Sequence, residues 1–188
     1  KEGFRQLNTH EDLPFAMEHF PNLPSKQFAG KSRIGQYGDK LMESDYHVGQ
    51  ILDALKELGV DDNTLLVFAS DNGPQGETSR EMGNQGSPDM GNSGPFRGEL
   101  GEATEGSIRT FCLVRWPGKV KPGTIENGMF GAQDWFPTLL AAAGNPDITD
   151  QLLKGVKLGD RTYKNHLDGY NQLDLLLGKG PSARHEFF

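Results

Sequence analysis

A single cysteine, Cys112, excludes any internal disulfide from this 188-residue chain and leaves its redox compartment undecided. Lys and Arg form no run or stripe and the net charge is −7, so nucleic acid is not an expected partner. No apolar run approaches the ~20 residues that cross a bilayer, so no membrane span is expected. The first residues, Lys1 to Asp12, are polar and charged and do not read as a signal peptide. No internal repeat is visible. What is plentiful is glycine. With 25 glycines and 11 prolines the chain is loop-rich, and the glycines crowd between Gly73 and Gly106, which marks a shaped loop region. The length suits one domain, or a large part of one, with room for a core.

The stretch from Thr64 to Pro74 organises the rest. Leu65, Leu66, Val67, Phe68 and Ala69 form a continuous apolar run, as in a strand covered on both faces of a parallel sheet. Asp71 and Asn72 come just past its carboxyl end, where open α/β sheets bind ligands. Each offers a hard side-chain oxygen suited to Ca²⁺ or Mg²⁺. Asn72-Gly73 is also a type I′ hairpin signal, but a hairpin needs its second strand at once. Gln75 to Gly94 is instead polar and Gly-rich, without apolar alternation.

Before this stretch, Leu13 to Pro24 holds three prolines and reads as an irregular loop carrying His19 between two apolar residues. On spacing alone such a histidine is a surface or hydrogen-bonded residue. From Tyr37 to Gly59, Leu41, Asp45, Val48, Leu52, Leu55 and Leu58 recur at helical spacing with Ile51 filling the stripe, and Gly59 is placed to stop the helix. Asp45 on that stripe reads as a solvated or hydrogen-bonded edge residue. Helix, acidic turn and strand make an αβ unit, from which a parallel sheet is expected.

After the glycine-rich loop, Thr110 to Trp116 reads as a second strand, with Cys112 as a small core residue. Asp134 is placed to cap a helix from Trp135 to Ala143, with Pro137 in its first turn and Gly144 as its stop. Val156 to Leu167 reads as strand or loop, and Leu173 to Leu177 is the last apolar run.

Several stretches together carry a resemblance. They are Tyr37-Gly-Asp with Asp45-Tyr-His-Val-Gly, then Asn63 to Pro74, Phe96-Arg-Gly, Glu105-Gly, Arg115 to Gly123, and Asp134 to Gly144. In this order and spacing they resemble the sulfatases, formylglycine-dependent sulfate-ester hydrolases with an alkaline-phosphatase-like α/β fold. That fold is a mixed, mostly parallel sheet flanked by helices. The resemblance implies that Asp71 and Asn72 match the second pair of ligands to an active-site divalent ion, usually calcium, with Mg²⁺ as the alternative. It implies that His19, in His-Phe-Pro, matches a histidine that contacts the sulfate group and assists the leaving group. The implied substrate is a small-molecule or carbohydrate sulfate ester.

Three departures accompany the resemblance. Where the family has an apolar strand before the histidine, this chain has Gln6-Leu-Asn-Thr-His-Glu-Asp12. Where the family commonly has a sulfate-binding lysine, position 100 is Leu, and a neutral apolar side chain cannot stabilise an anionic oxygen; Arg97 is the nearest cation in sequence. The Cys-x-Pro-x-Arg segment that supplies formylglycine is not found, since Cys112 is followed by Leu-Val-Arg-Trp. Residues 1–188 therefore resemble the carboxyl-terminal portion of the catalytic domain, with little turnover expected from them alone. A partial sheet also implies association through exposed strand edges. A phosphate- or phosphonate-ester hydrolase of the same superfamily, and a non-catalytic sulfatase-like binding or structural protein, are the alternative readings. The compartment stays undecided, although many bacterial sulfatases are exported.

Overall fold

The computed structural model describes residues 22–75 and 91–187, which fall into two compact units. The first holds residues 22–61, 72–75 and 91–111, and the second holds 62–71 and 112–187.

The first unit is built on α1 (Gly35–Glu57). Its end is set by the local sequence: Gly59 takes φ +66°, its N–H donates to the Lys56 carbonyl at 3.0 Å, and the Val60 N–H donates to Leu55 at 3.1 Å. Glycine tolerates this left-handed turn, which satisfies the last carbonyls of the helix. The buried face differs from the expected stripe. Gly38, Asp39, Glu43 and Ser44 are buried, while Leu41 and Leu58 are exposed. Asp45 is solvated, in agreement with its position at the stripe's edge.

The reason lies in what packs there. Residues 25–32 present backbone donors to the helix: the N–H groups of Gly30 and Ser32 each donate to Asp39 at 2.7 Å, and that of Ser25 donates to Glu43 at 3.2 Å. Backbone N–H groups turned onto a helix face need acceptors, which leucine does not provide. The Ser32 and Gly30 donors hold the Asp39 carboxyl below its ordinary range. Burial works to raise Glu43, but Ser25 and Lys40 bring it below the usual value. Phe28 supplies the apolar contact, its ring centroid 5.5 Å from that of Tyr46. The unit closes with a single turn, α2 (Glu105–Ile108).

In the second unit β1 (Leu66–Ala69) pairs with β2 (Cys112–Arg115), in register from Leu66 opposite Arg115 to Ala69 opposite Cys112. The pairing is antiparallel, where the αβ unit implied a parallel neighbour for this strand. Antiparallel neighbours do not need the crossover connection that a parallel pair requires. Cys112 is exposed, which corrects its reading as core: the first two residues of β2 are exposed and only the last two are half-buried.

The remainder runs through α3 (Trp135–Ala142), α4 (Ile148–Lys154), β3 (Val156–Leu158), β4 (Arg161–Tyr163) and α5 (Leu173–Leu176). Of the segment from Val156 to Leu167, residues 156–163 form a tight antiparallel hairpin turning on Gly159 and Asp160, and the rest is irregular. Ala141, Ile148, Leu152 and Leu175 are the buried apolar side chains, and Pro137 is fully buried in the first turn of α3.

Asp134 does not cap α3 with its side chain. It lies in a 3₁₀ turn, Ala132–Asp134, entirely buried, and its carboxylate serves residues distant in sequence. Oδ2 accepts the Gly131 N–H at 2.8 Å and Arg184 Nε at 2.9 Å, while Oδ1 accepts the Tyr170 N–H and Arg184 Nη2, both at 2.7 Å. Beside it, Thr138 Oγ1 accepts the Gln172 N–H at 2.9 Å, and the Gln172 amide reaches Met129 and Ser182. Among the described residues no helix is long and apolar enough to cross a membrane.

Candidate functional site

Asp71 and Asn72 follow β1 after one intervening residue, Ser70. Asp71, in the second unit, is exposed, with a long 3.5 Å hydrogen bond from Ser70 Oγ to its Oδ1. Asn72, the first residue of the next segment of the other unit, is half-buried, and its Nδ2 donates to the Gly73 carbonyl at 2.9 Å. A carboxylate and an amide oxygen are hard donors and suit Ca²⁺ or Mg²⁺, but two residues furnish only part of the six to eight oxygens calcium takes. Among the described residues no group of three or more His, Cys, Asp and Glu could hold a metal. His19 lies outside the described residues.

Backbone packing fixes the segment after Asn72. Gly73 is buried, its N–H donates to the Ser107 carbonyl at 2.7 Å, and a Cβ on it would overlap the carbonyl of Gly106. Gly106 in turn donates its N–H to the Arg97 carbonyl at 2.7 Å, and a Cβ on it would run into the Arg97 and Gly98 carbonyls. A third tie runs from the Leu100 N–H to the Pro74 carbonyl at 2.9 Å. Residues 73–74, residues 97–100 and residues 106–107 of α2 thus meet through main-chain hydrogen bonds. Ser93 supports the crossing, its hydroxyl 2.7 Å from the Phe96 carbonyl and 3.1 Å from that of Gly98.

The side chains on this loop fall into two kinds. Arg109 is engaged, with Nη1 2.7 Å from Glu105 Oε1 and its guanidinium 4.4 Å from the Phe96 ring centre. Arg97 is exposed. Leu100 is exposed as well and contributes no charge. Sequence reading singles out Asp71 and Asn72 but misses the crossing that carries Asn72. Its only sequence signal is the pair of glycines at 73 and 106, and nothing in spacing says that they touch.

The Sulfatase family model matches residues 6–145, and the chain belongs to the sulfatase family. It is 37% identical over 175 residues to steryl-sulfatase of Mus musculus, covering 93% of this chain and 25% of that protein. It is 36% identical over 184 residues to arylsulfatase A of Homo sapiens, covering 95% and 32%. With N-acetylgalactosamine-6-sulfatase of Homo sapiens it shares 37% identity over 140 residues, covering 74% and 26%. The chain therefore spans between a quarter and a third of the length of these curated relatives. A protein solved in work on the metabolism of multiple glycosaminoglycans by Bacteroides thetaiotaomicron superposes with TM-score 0.63 at 34% identity, covering 88% of this chain and 32% of that one. A second, crystallised with k-i-k-neocarrahexaose, gives 0.58 at 29% identity, covering 91% and 31%. The fold class is the alkaline-phosphatase-like α/β class of this family, present here as part of a domain.

Proposed function

We propose that this chain is the carboxyl-terminal portion of the catalytic domain of a sulfuric ester hydrolase, and that Asp71 and Asn72 hold part of its divalent metal site. The observation that carries the reading is the consecutive carboxylate and amide at the carboxyl end of β1, inside the span matched by the family. A hard cation bound there, calcium before magnesium, would supply Lewis-acid stabilisation of negative charge on a sulfate oxygen. Asp71 would contribute a full negative charge to that cation and Asn72 a neutral oxygen, oriented by its own bond to Gly73. His19 would donate a proton to the leaving oxygen or bind the sulfate group. The formylglycine nucleophile and further metal ligands would come from sequence outside these 188 residues, because no Cys-x-Pro-x-Arg segment occurs within them.

The substrate class is a small-molecule or carbohydrate sulfate ester. A sulfated carbohydrate is the first choice, supported by the name of N-acetylgalactosamine-6-sulfatase, the glycosaminoglycan setting of one solved protein and the neocarrahexaose in complex with the other. The test is hydrolysis of an aryl sulfate and the matching aryl phosphate by the full-length polypeptide, before and after chelation and Ca²⁺ return. Sulfate hydrolysis that is lost on chelation, restored by Ca²⁺, and reduced on the order of 10²–10³-fold by Asp71→Ala is expected. Preference for the phosphate ester would move the protein to the phosphoesterase reading. Absence of both activities would favour a non-catalytic binding role.

A further inference from the structure

Resting on the sulfatase reading, we infer that Arg97 is the side chain of the first unit that binds the anionic sulfate group, in place of a cation at position 100. A sulfate ester carries its charge over several oxygens, and a guanidinium offers donors in a planar fork that matches two of them at once. Three observations single out Arg97 for this task. Its backbone is immobilised by the Gly106 N–H on its carbonyl, and the neighbouring residue 107 holds Gly73, the residue next to Asn72. A pair of adjacent residues, 106 and 107, therefore ties Arg97 to the segment that carries Asn72. The side chain itself is exposed and makes no hydrogen bond or ion pair with the described residues. A cation held at its base and unengaged at its tip is suited to an outside anion.

The other charges and apolar groups of the loop narrow the choice. Arg109 is paired with Glu105 at 2.7 Å and its guanidinium carbon lies 4.4 Å from the centre of the Phe96 ring, so it already has partners on the loop. Leu100 is tied to Pro74 through its N–H and brings only methyl groups to the same loop. Arg97 and Leu100 are thus fixed by separate bonds to one crossing. The cation can be supplied from position 97 without altering the backbone that presents either residue.

The experiment uses the full-length polypeptide and inorganic sulfate as the probe, read by calorimetric titration and by sulfate-dependent protection against thermal unfolding, alongside kcat and KM for an aryl sulfate. Arg97→Ala is expected to weaken sulfate binding and lower kcat/KM by roughly 10- to 100-fold, the range set by losing a charged hydrogen-bonding partner. Arg97→Lys, which keeps the charge and loses the fork, should fall between it and wild type. Arg109→Gln removes an equal charge from the same loop and should leave sulfate affinity within about twofold. If the enzyme hydrolyses sulfate esters but Arg97→Ala, with an unchanged melting temperature, keeps wild-type affinity and kcat/KM, the assignment of Arg97 is overturned and the sulfatase reading stands. If the protein has no sulfatase activity, yet binds sulfate in an Arg97-dependent way, the anion site stands and the catalytic reading falls. Absence of sulfate binding to wild type would overturn the assignment outright.

Discussion

The two units hold their loops by opposite means. In the first, around residues 73, 97 and 106, main chain lies on main chain, and the contacts require that glycine have no side chain. In the second, around Asp134, long polar side chains reach across tens of residues to satisfy one another. A backbone crossing places its residues by steric exclusion and is indifferent to pH. A buried charge network places its residues by complementary charge and hydrogen bonding, so its members depend on the ionisation of Asp134 and Arg184.

Removing one partner of the buried pair tests this difference most severely. Asp134 is completely buried and Arg184 is 7% exposed, so Asp134→Ala leaves a guanidinium without its counter-charge in a desolvated site. A loss of about 3–5 kcal/mol is expected in urea unfolding, and Asp134→Leu combined with Arg184→Met should recover part of it. The pH dependence has a definite sign. Burial works to raise the Asp134 carboxyl, but the Arg184 guanidinium and the N–H groups of Gly131 and Tyr170 bring it below its ordinary value. Its stabilising contribution is therefore complete above the unfolded carboxyl pKa of about 3.9 and is lost as pH falls through the lower folded value. Asp134→Asn should flatten that part of the acid unfolding curve; an unchanged curve would mean that other carboxylates govern it.

The crossing should be sensitive to a single methyl group. Gly106→Ala puts a Cβ onto the Arg97 and Gly98 carbonyls, which are backbone and cannot rotate away. A loss of roughly 1–3 kcal/mol is expected from such overpacking, with the same slope against pH as wild type. A melt of this variant at neutral and acid pH sharpens the contrast with Asp134→Asn.

Gly59→Ala separates sterics from backbone preference. At φ +66° the added Cβ would meet nothing within 4 Å, so only the left-handed conformation is penalised, at about 1–2 kcal/mol. A fall in melting temperature smaller than that of Gly106→Ala would show that close approach outweighs dihedral strain in this chain. Equal falls would remove the distinction.

Local chemistry was the legible part. Helix α1, its stop at Gly59 and the stop of α3 at Gly144 were readable because a glycine after an apolar-periodic segment acts on its own neighbours. Strand β1 and its polar terminus were readable for the same reason: a run of β-formers followed by Asp71 and Asn72 is contiguous. The face that α1 buries was not, because Asp39 and Glu43 are chosen by the N–H groups of a loop that packs on them, not by helical period. Nor was the role of Asp134. Its sequence context fits a helix cap, while its partners Tyr170 and Arg184 lie 36 and 50 residues away.

By itself the sequence determined the family, the αβ order of the chain and the hard-oxygen pair after β1, since each is written in adjacent or evenly spaced residues. Only the tertiary structure decided that β1 runs antiparallel to β2, that Asp134 closes on Arg184, and that Gly73, Arg97 and Gly106 meet. The physical reason is the same for all three. Hydrogen-bond partners and steric contacts between distant segments depend on where the chain returns, and local propensity carries no information about that return.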